Sequence, residues 1–332
     1  MLRRARCAAG VLLAVALAGC GDQSALAPRS EPAREIATLW WWMLAIAGTV
    51  LGGALFLLFI GFLRRRTPGI PLLGKREGVA TALVVVFGIL IPLGTNVAVF
   101  VVANFVVAKA TEAPDPRTTP MRIEVIGHQW FWEVRYPGTT AITANEIHIP
   151  AGTRVNVVAT TDDVIHSFWV PQLNRKIDMI PGHTNRVLLE ADEPGRYRGQ
   201  CAEFCGAQHS HMAMYVYADP PDRFRRWLDE MAADAAAPAT AEARRGERVF
   251  LDNACASCHT IRGTEARGEV GPDLTHLQSR STLAALTIPN RPGYLAGWVL
   301  DPQHVKPGNR MPGLKLANDD FNALLAYLEG LK

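Results

Sequence analysis

The sequence has no excess of either charge: Lys and Arg number 34 against 31 Asp and Glu, for a formal net charge of +3 over 332 residues. No basic run is interleaved with aromatic side chains either, and together these absences exclude a nucleic-acid-binding face as the organising feature. Cysteine is scarce, at 6 in the whole chain. Cys7 and Cys20 fall in the N-terminal segment, and the rest form two close pairs, Cys201 with Cys205 and Cys255 with Cys258. Apart from those two close pairs, no cysteines outside the N-terminal segment are left for a structural disulfide. Internal repeats are absent, which excludes a repeat architecture. Charge is missing altogether from 36 to 63 and again from 78 to 108.

Each of those two runs exceeds the roughly 20 residues that a membrane-spanning helix needs. A soluble core helix is rarely so long and uninterrupted, so a transmembrane hairpin is expected. Pro92 and Gly94 are positioned to kink its second helix, which neighbouring helices in a membrane tolerate. Arg64, Arg65, Arg66, Lys75 and Arg76 crowd the short connection, placing it on the cytoplasmic side by the positive-inside rule. Everything after Lys109 then lies outside the cytoplasm. At the N-terminus, Arg3, Arg4 and Arg6 precede an apolar run from 8 to 18, the pattern of a secretory signal. Leu17-Ala18-Gly19-Cys20 resembles a bacterial lipobox, which implies cleavage before Cys20 and lipid on its thiol. An ordinary signal peptide or a third helix are the alternatives, although the run is short for a span.

Beyond a polar, Pro-rich linker at 110–120, apolar and polar residues alternate at 122–126, 146–149 and 154–158. Pro137-Gly138, Pro150, Gly152, Pro181-Gly182 and Pro194-Gly195 punctuate these stretches, as expected of short strands in an all-β sandwich or barrel. That domain closes near Ala218. An Ala-rich linker follows at 232–241, and from Glu242 the texture is helical, at 242–251, 294–300 and 321–331.

Two motifs carry the chemistry. From Cys201 to Met212, two thiols stand four residues apart, His209 four further on and Met212 three beyond that. Soft sulfur with imidazole suits copper far better than magnesium or calcium. A second imidazole is available from His166, in the apolar segment Val164-Ile165-His166-Ser167-Phe168-Trp169. A Cys201–Cys205 disulfide, a zinc site and a single-copper blue site are the alternatives. Cys255-Ala256-Ser257-Cys258-His259 is a c-type haem attachment motif, with thioether bonds from the cysteines and His259 as an iron ligand. Met311, in Asn309-Arg310-Met311-Pro312-Gly313, is the candidate for the opposite iron ligand, with His276 and His304 as alternatives. No second Cys-x-x-Cys lies nearby to favour zinc.

The His166 segment followed by Cys201-x-Glu203-x-Cys205-Gly206-x-x-His209-x-x-Met212 resembles subunit II of cytochrome c oxidase, and the C-terminal motif resembles class I cytochromes c. Nearly the whole chain is similar to oxidase subunits II that carry a fused cytochrome c. The resemblance implies a membrane-anchored multidomain protein: a lipoprotein-type signal at 1–19, a linker at 20–36, a two-helix transmembrane hairpin at 37–109, an all-β cupredoxin-like sandwich at 120–219, a linker at 232–241 and an all-α cytochrome c domain at 242–332. It implies a dinuclear copper A centre bridged by Cys201 and Cys205. His166 and His209 are then terminal ligands, and Met212 and the Glu203 carbonyl are weak ones. The Glu203 carboxylate is implied to hold magnesium or manganese at the boundary with subunit I, and Trp130 to be the point where electrons arrive. Trp132 is expected in the core. His211 is expected beside the ligands or facing solvent, and His148 and His183 at the surface or in turns. Glu77 lies near the family's proton-channel glutamate, but the following Gly78-Val79-Ala80-Thr81-Ala82-Leu83 departs from the family's pattern, so a loop charge is the reading here.

The function implied is that of an electron-transfer subunit. Electrons from cytochrome c or another periplasmic donor pass through haem c and copper to haem in subunit I, where oxygen becomes water and protons are pumped. Subunit III is a further expected partner. The chain itself offers no open metal position and no His-rich helices, so terminal chemistry belongs to the partner. A copper-bearing subunit of a nitric oxide reductase, or an anchored electron-transfer protein without a fixed partner, are the alternatives. The expected location is the bacterial cytoplasmic membrane, in contact with lipid, with no nucleic-acid partner.

Overall fold

The charge-free run at 36–63 forms one helix over Glu31–Arg64, and the second run is helical over Gly78–Thr111. The structure, a computed structural model, describes residues 21, 23–64, 77–115, 117, 119 and 121–332. The expected signal, Cys20 and the basic connection at 65–76 lie outside the described residues. Glu31–Glu112 makes a unit of its own. In both helices the apolar window is 0% buried within the protein, which distinguishes them from core helices and leaves lipid as their solvent. The second helix widens into π-type turns at Val86–Leu90 and Ala103–Val107. The first of these sits just before Pro92, which has no N–H to donate and crowds the preceding turn.

The other unit holds two packed domains. In the first, a five-stranded sheet runs in the order β3 (Ile142–Ala144), β2 (Phe131–Arg135), β1 (Met121–His128), β5 (Val155–Thr161) and β8 (Asn185–Leu189). A three-stranded sheet runs β4 (Glu146–Pro150), β10 (Ala213–Asp219) and β9 (Gly195–Gln200). A short pair, β6 (His166–Phe168) with β7 (Ile177–Met179), lies beside them. The two parallel pairings, β1 with β5 and β4 with β10, give the mixed topology of a cupredoxin-like sandwich. Its core is apolar: Ile123, Trp132, Ile147, Val157 and Met214 are all fully buried. A helix over Pro221–Ala232, to which the sequence reading assigned no element, follows β10 and buries Phe224 and Met231.

The second domain is helical. Ala241–Asp252, Cys255–Cys258, Pro292–Leu300, Pro302–Val305 and Asn318–Leu328 enclose a core that includes Phe250, Leu295, Leu324 and Tyr327. Thr240 starts the first helix by accepting a hydrogen bond from the Ala243 amide, an N-cap that satisfies one of the free donors there. Helix Ala241–Asp252 crosses Asn318–Leu328 closely enough that a Cβ on Gly246 would sit 1.9 Å from the Ala323 carbonyl oxygen. The stretch expected as a linker joins the domains, and the Arg262 guanidinium ties down its start by donating to the carbonyls of Met231 and Ala233.

Candidate functional site

His166 comes from β6, while the other soft donors come from the loop between β9 and β10, where a short turn over His209–His211 returns the chain to the sheet. Cys201 Sγ lies 3.8 Å from His166 Nδ1 and 3.8 Å from Cys205 Sγ. Cys205 Sγ lies 3.6 Å from His209 Nδ1 and 3.8 Å from Met212 Sδ. The Glu203 carbonyl oxygen completes the ring, 3.2 Å from Cys201 Sγ. Both thiols are free, and their separation is far beyond a disulfide bond of about 2.05 Å. His166, Cys201, Cys205 and Met212 are buried. Two thiols, two imidazoles, a thioether and a carbonyl form a set that fits soft or borderline metal ions, copper foremost.

Local packing fixes the ring of His166. Its Nε2 bonds to Asp163 Oδ1 at 2.9 Å, which turns Nδ1 toward the thiols. A Cβ on Gly127 would come within 2.8 Å of that ring, so the position has room only for glycine. Trp132 backs the site, its ring centroid 6.1 Å from that of His166. Burial opposes charge on Asp163, yet hydrogen bonds from His166 and from the Val164 and Gln129 amides outweigh it and bring its pKa down to about 2. Burial also opposes charge on His166, and its bonds with Asp163 and Cys201 raise its pKa nonetheless. The thiols titrate as a pair: the hydrogen bond with Cys205 holds Cys201 well below the usual thiol range, and the same neighbour with burial pushes Cys205 above it.

The Glu203 carboxylate is exposed and accepts from the Phe204 amide. His211 is exposed, with Nδ1 2.7 Å from Gln208 Oε1, and His183 is exposed in a turn. His148 differs from the sequence reading. It lies on β4, bonded to Asp219 at 2.7 Å and stacked on Tyr217 and Trp227 at 4.8 and 4.0 Å. Trp132 is in the core, as expected.

A second site is a largely apolar cavity whose wall includes Cys255, Cys258, His259 and Met311. His259 Nδ1 is 2.7 Å from the Pro272 carbonyl oxygen, leaving Nε2 as the free nitrogen, and burial lowers its pKa so that the ring stays neutral. His276 is committed elsewhere, its nitrogens 2.9 Å from the carbonyls of Lys332 and Ala233, and His304 does not line the cavity. Arg280 and Thr282 do, and Arg280 Nε and Thr282 Oγ1 have no hydrogen-bond partner among the described residues. A planar apolar group with carboxylates at one edge fits such a wall: two thiols for attachment, an imidazole and a thioether for iron, and buried donors for the acids.

The two sites share Trp130. Trp130 lines the cavity, and its Nε1 donates to the Cys205 carbonyl at 2.9 Å. Gln129 Nε2 donates to the same oxygen at 2.8 Å. Neither Gln129 nor Asp163 was identified as a site residue from sequence. Asp163 stands three residues before His166, a spacing that could have suggested a ring partner.

Comparisons with known proteins agree with both domains. A family profile described as "Cytochrome C oxidase subunit II, periplasmic domain" matches residues 141–218, and one described as "Cytochrome c" matches 243–332. The sequence is 34% identical over 330 residues to cytochrome c oxidase subunit 2 of Alkalihalophilus pseudofirmus, covering 96% of this chain and 95% of that one. It is 33% identical over 221 residues to the Bacillus subtilis protein of the same description, covering 63% and 62%. Among solved structures, the periplasmic domain of subunit II of cytochrome oxidase of Bradyrhizobium japonicum is 28% identical, with a TM-score of 0.34, over 36% of this chain and 96% of that one.

Proposed function

The chain belongs to the cytochrome c oxidase subunit II family, with a fused C-terminal cytochrome c domain, and from that premise we propose that it relays electrons from a periplasmic donor to haem in subunit I. Its apolar helices anchor it in the membrane, and its β domain lies on the periplasmic side. The observation that carries the reading is the convergence of the Cys201, Cys205, His166, His209 and Met212 donor atoms, with neighbouring donors 3.6–3.8 Å apart.

When bound, a copper pair and a covalent haem c supply one-electron chemistry with little change of geometry. In this reading Cys201 and Cys205 would hold the copper pair through their thiolates, with His166 and His209 as further ligands and Met212 and the Glu203 carbonyl as weak ones. Cys255 and Cys258 would hold the haem through thioether bonds, with His259 and Met311 as its iron ligands. The β frame holds the donors rigidly. Asp163 fixes the His166 ring, and the buried thiols keep water away. Trp130, in contact with both sites, is the point where electrons reach the copper side.

Oxygen reduction and proton pumping take place in the partner, with subunit III as a further neighbour and cytochrome c or a similar carrier as donor. The exposed Glu203 carboxylate is available for magnesium or manganese at the boundary with subunit I. The domain limits at 1–19, 20–36, 37–109, 120–219, 232–241 and 242–332 belong to the same proposal, as does lipid on Cys20.

Electron paramagnetic resonance on the purified, copper-loaded protein tests it. A seven-line mixed-valence copper signal beside low-spin haem is expected, and Cys201→Ser removes the first and spares the second. A four-line single-copper signal would overturn the dinuclear assignment.

A further inference from the structure

Lys306 is 2% exposed and, among the described residues, has no carboxylate partner. A buried ammonium is costly unless all its donors are satisfied. Here its Nζ donates to the carbonyls of Trp130 at 2.8 Å, His211 at 2.9 Å and Ala284 at 3.2 Å. The three acceptors come from three places. Trp130 joins the two sites, His211 belongs to the loop that carries His209 and Met212, and Ala284 lies in the helical domain beside its cavity. Burial draws the amine's pKa down to about 7.

The neighbours of Lys306 point the same way. Gln208 Nε2, from the copper-side loop, donates to the Pro307 carbonyl. Arg310 donates to Gln129 Oε1 at 2.7 Å and lies 3.8 Å from Asp163, the residue that holds the His166 ring. The segment 306–310 is therefore laid along the copper-side loop and leads directly into Met311 on the cavity wall. Farther away, Ser281 donates to Glu146 across the same boundary, at 2.6 and 2.8 Å.

We propose that Lys306 is a positioning residue for electron transfer between the two domains: its ammonium clamps the 306–311 segment of the helical domain to Trp130 and to the copper-ligand loop. This rests on the relay reading given above. The clamp acts on backbone carbonyls, so it sets the distance and orientation of the two sites without touching a ligand side chain. Transfer between fixed centres depends on that geometry, and small misplacements are expensive in rate. Lys306→Met keeps the unbranched apolar stem, one heavy atom shorter, and removes every side-chain donor.

The test is time-resolved haem-to-copper electron transfer in the purified oxidase, wild type against Lys306→Met, after both spectra have been recorded. With both spectra intact, the variant's transfer rate is expected to fall by about tenfold or more, since it loses three charge-assisted hydrogen bonds and one alone is worth about that factor. A rate within about twofold of wild type overturns the clamp, being smaller than that loss. If the variant does not mature, amine acetylation of the wild-type complex decides. Lys306 left unmodified while the exposed Lys176 and Lys315 react supports the clamp, and Lys306 reacting as fast as Lys315 overturns it. A wild-type protein lacking the copper or haem signal would instead count against the relay reading itself.

Discussion

At the scale of single residues, the thiol pair makes copper uptake a competition with protons. In metal-stripped protein Cys201 is held ionised, while Cys205 is pushed above the ordinary thiol range by its charged neighbour and by burial. A thiol must be ionised to bind metal, so loading a metal on both releases the Cys205 proton. The sign follows: below the raised pKa of Cys205, affinity rises with pH, by about tenfold per unit for one proton released. His166, whose pKa is also raised, adds a second proton at the acid end and steepens the slope there. Chelator-competition titrations of copper between pH 6 and 9 (roughly the range in which such thiols compete) check this, and a flat profile would contradict the shared-proton picture. What was legible at this scale was spacing. Cys201, Cys205, His209 and Met212 are neighbours in sequence, so as candidate ligands they can be picked out without the rest of the fold. Gln129 and Lys306 were not legible, because their roles come from atoms 76 and 176 positions away. A lysine in a polar loop looks like surface until the packing buries it.

At the scale of elements, the helical domain turns on one crossing. Helix Ala241–Asp252 lies against Asn318–Leu328, with Phe250 and Tyr327 in edge contact at 5.9 Å. Gly246 leaves no room at the crossing point, where a Cβ would fall 1.9 Å from the Ala323 carbonyl. Alanine is the better helix former in isolation, but here the helices must part to admit it. Overpacking of this kind costs about 1–3 kcal/mol. Gly246→Ala is therefore expected to lower the thermal midpoint of the haem domain by several degrees and to reduce the yield of covalently haem-bearing chain. Differential melting followed at the haem absorption, with haem-stained gels, measures both; an unchanged midpoint would show that the crossing relaxes freely. The strands were legible where polar and apolar residues alternate, as in β1 and β4. The helix Pro221–Ala232 was missed because charge dominates its sequence and its buried residues, Phe224 and Met231, are few. The π-type turns at Val86–Leu90 and Ala103–Val107 leave the hydrophobic pattern unchanged and cannot be read from it.

At the scale of the whole molecule, one covalent chain carries both soluble domains and the membrane anchor. Tethering holds the haem domain at high effective concentration beside the copper domain, so the contacts of Lys306, Arg262 and Glu146 need only orient it. This arrangement works only if both domains share a compartment, and the charge of the hairpin decides which one. Arg64, Arg65, Arg66, Lys75 and Arg76 lie between the two spans, whereas the far end of the second span is followed within a few residues by Glu112 and Asp115. Short connections rich in Arg and Lys stay in the cytoplasm. Two spans then return the chain to the side from which it started, and residues 121–332 follow outside. Protease added to intact spheroplasts is accordingly expected to release the haem-bearing fragment, while a cysteine introduced within 65–76 reacts with an impermeant maleimide only after the membrane is opened. Labelling of that loop from outside would invert the hairpin. It would also place the thiols of Cys201, Cys205, Cys255 and Cys258 in the reducing cytoplasm, where the protection that metal and thioether bonds give them against oxidation would serve no purpose.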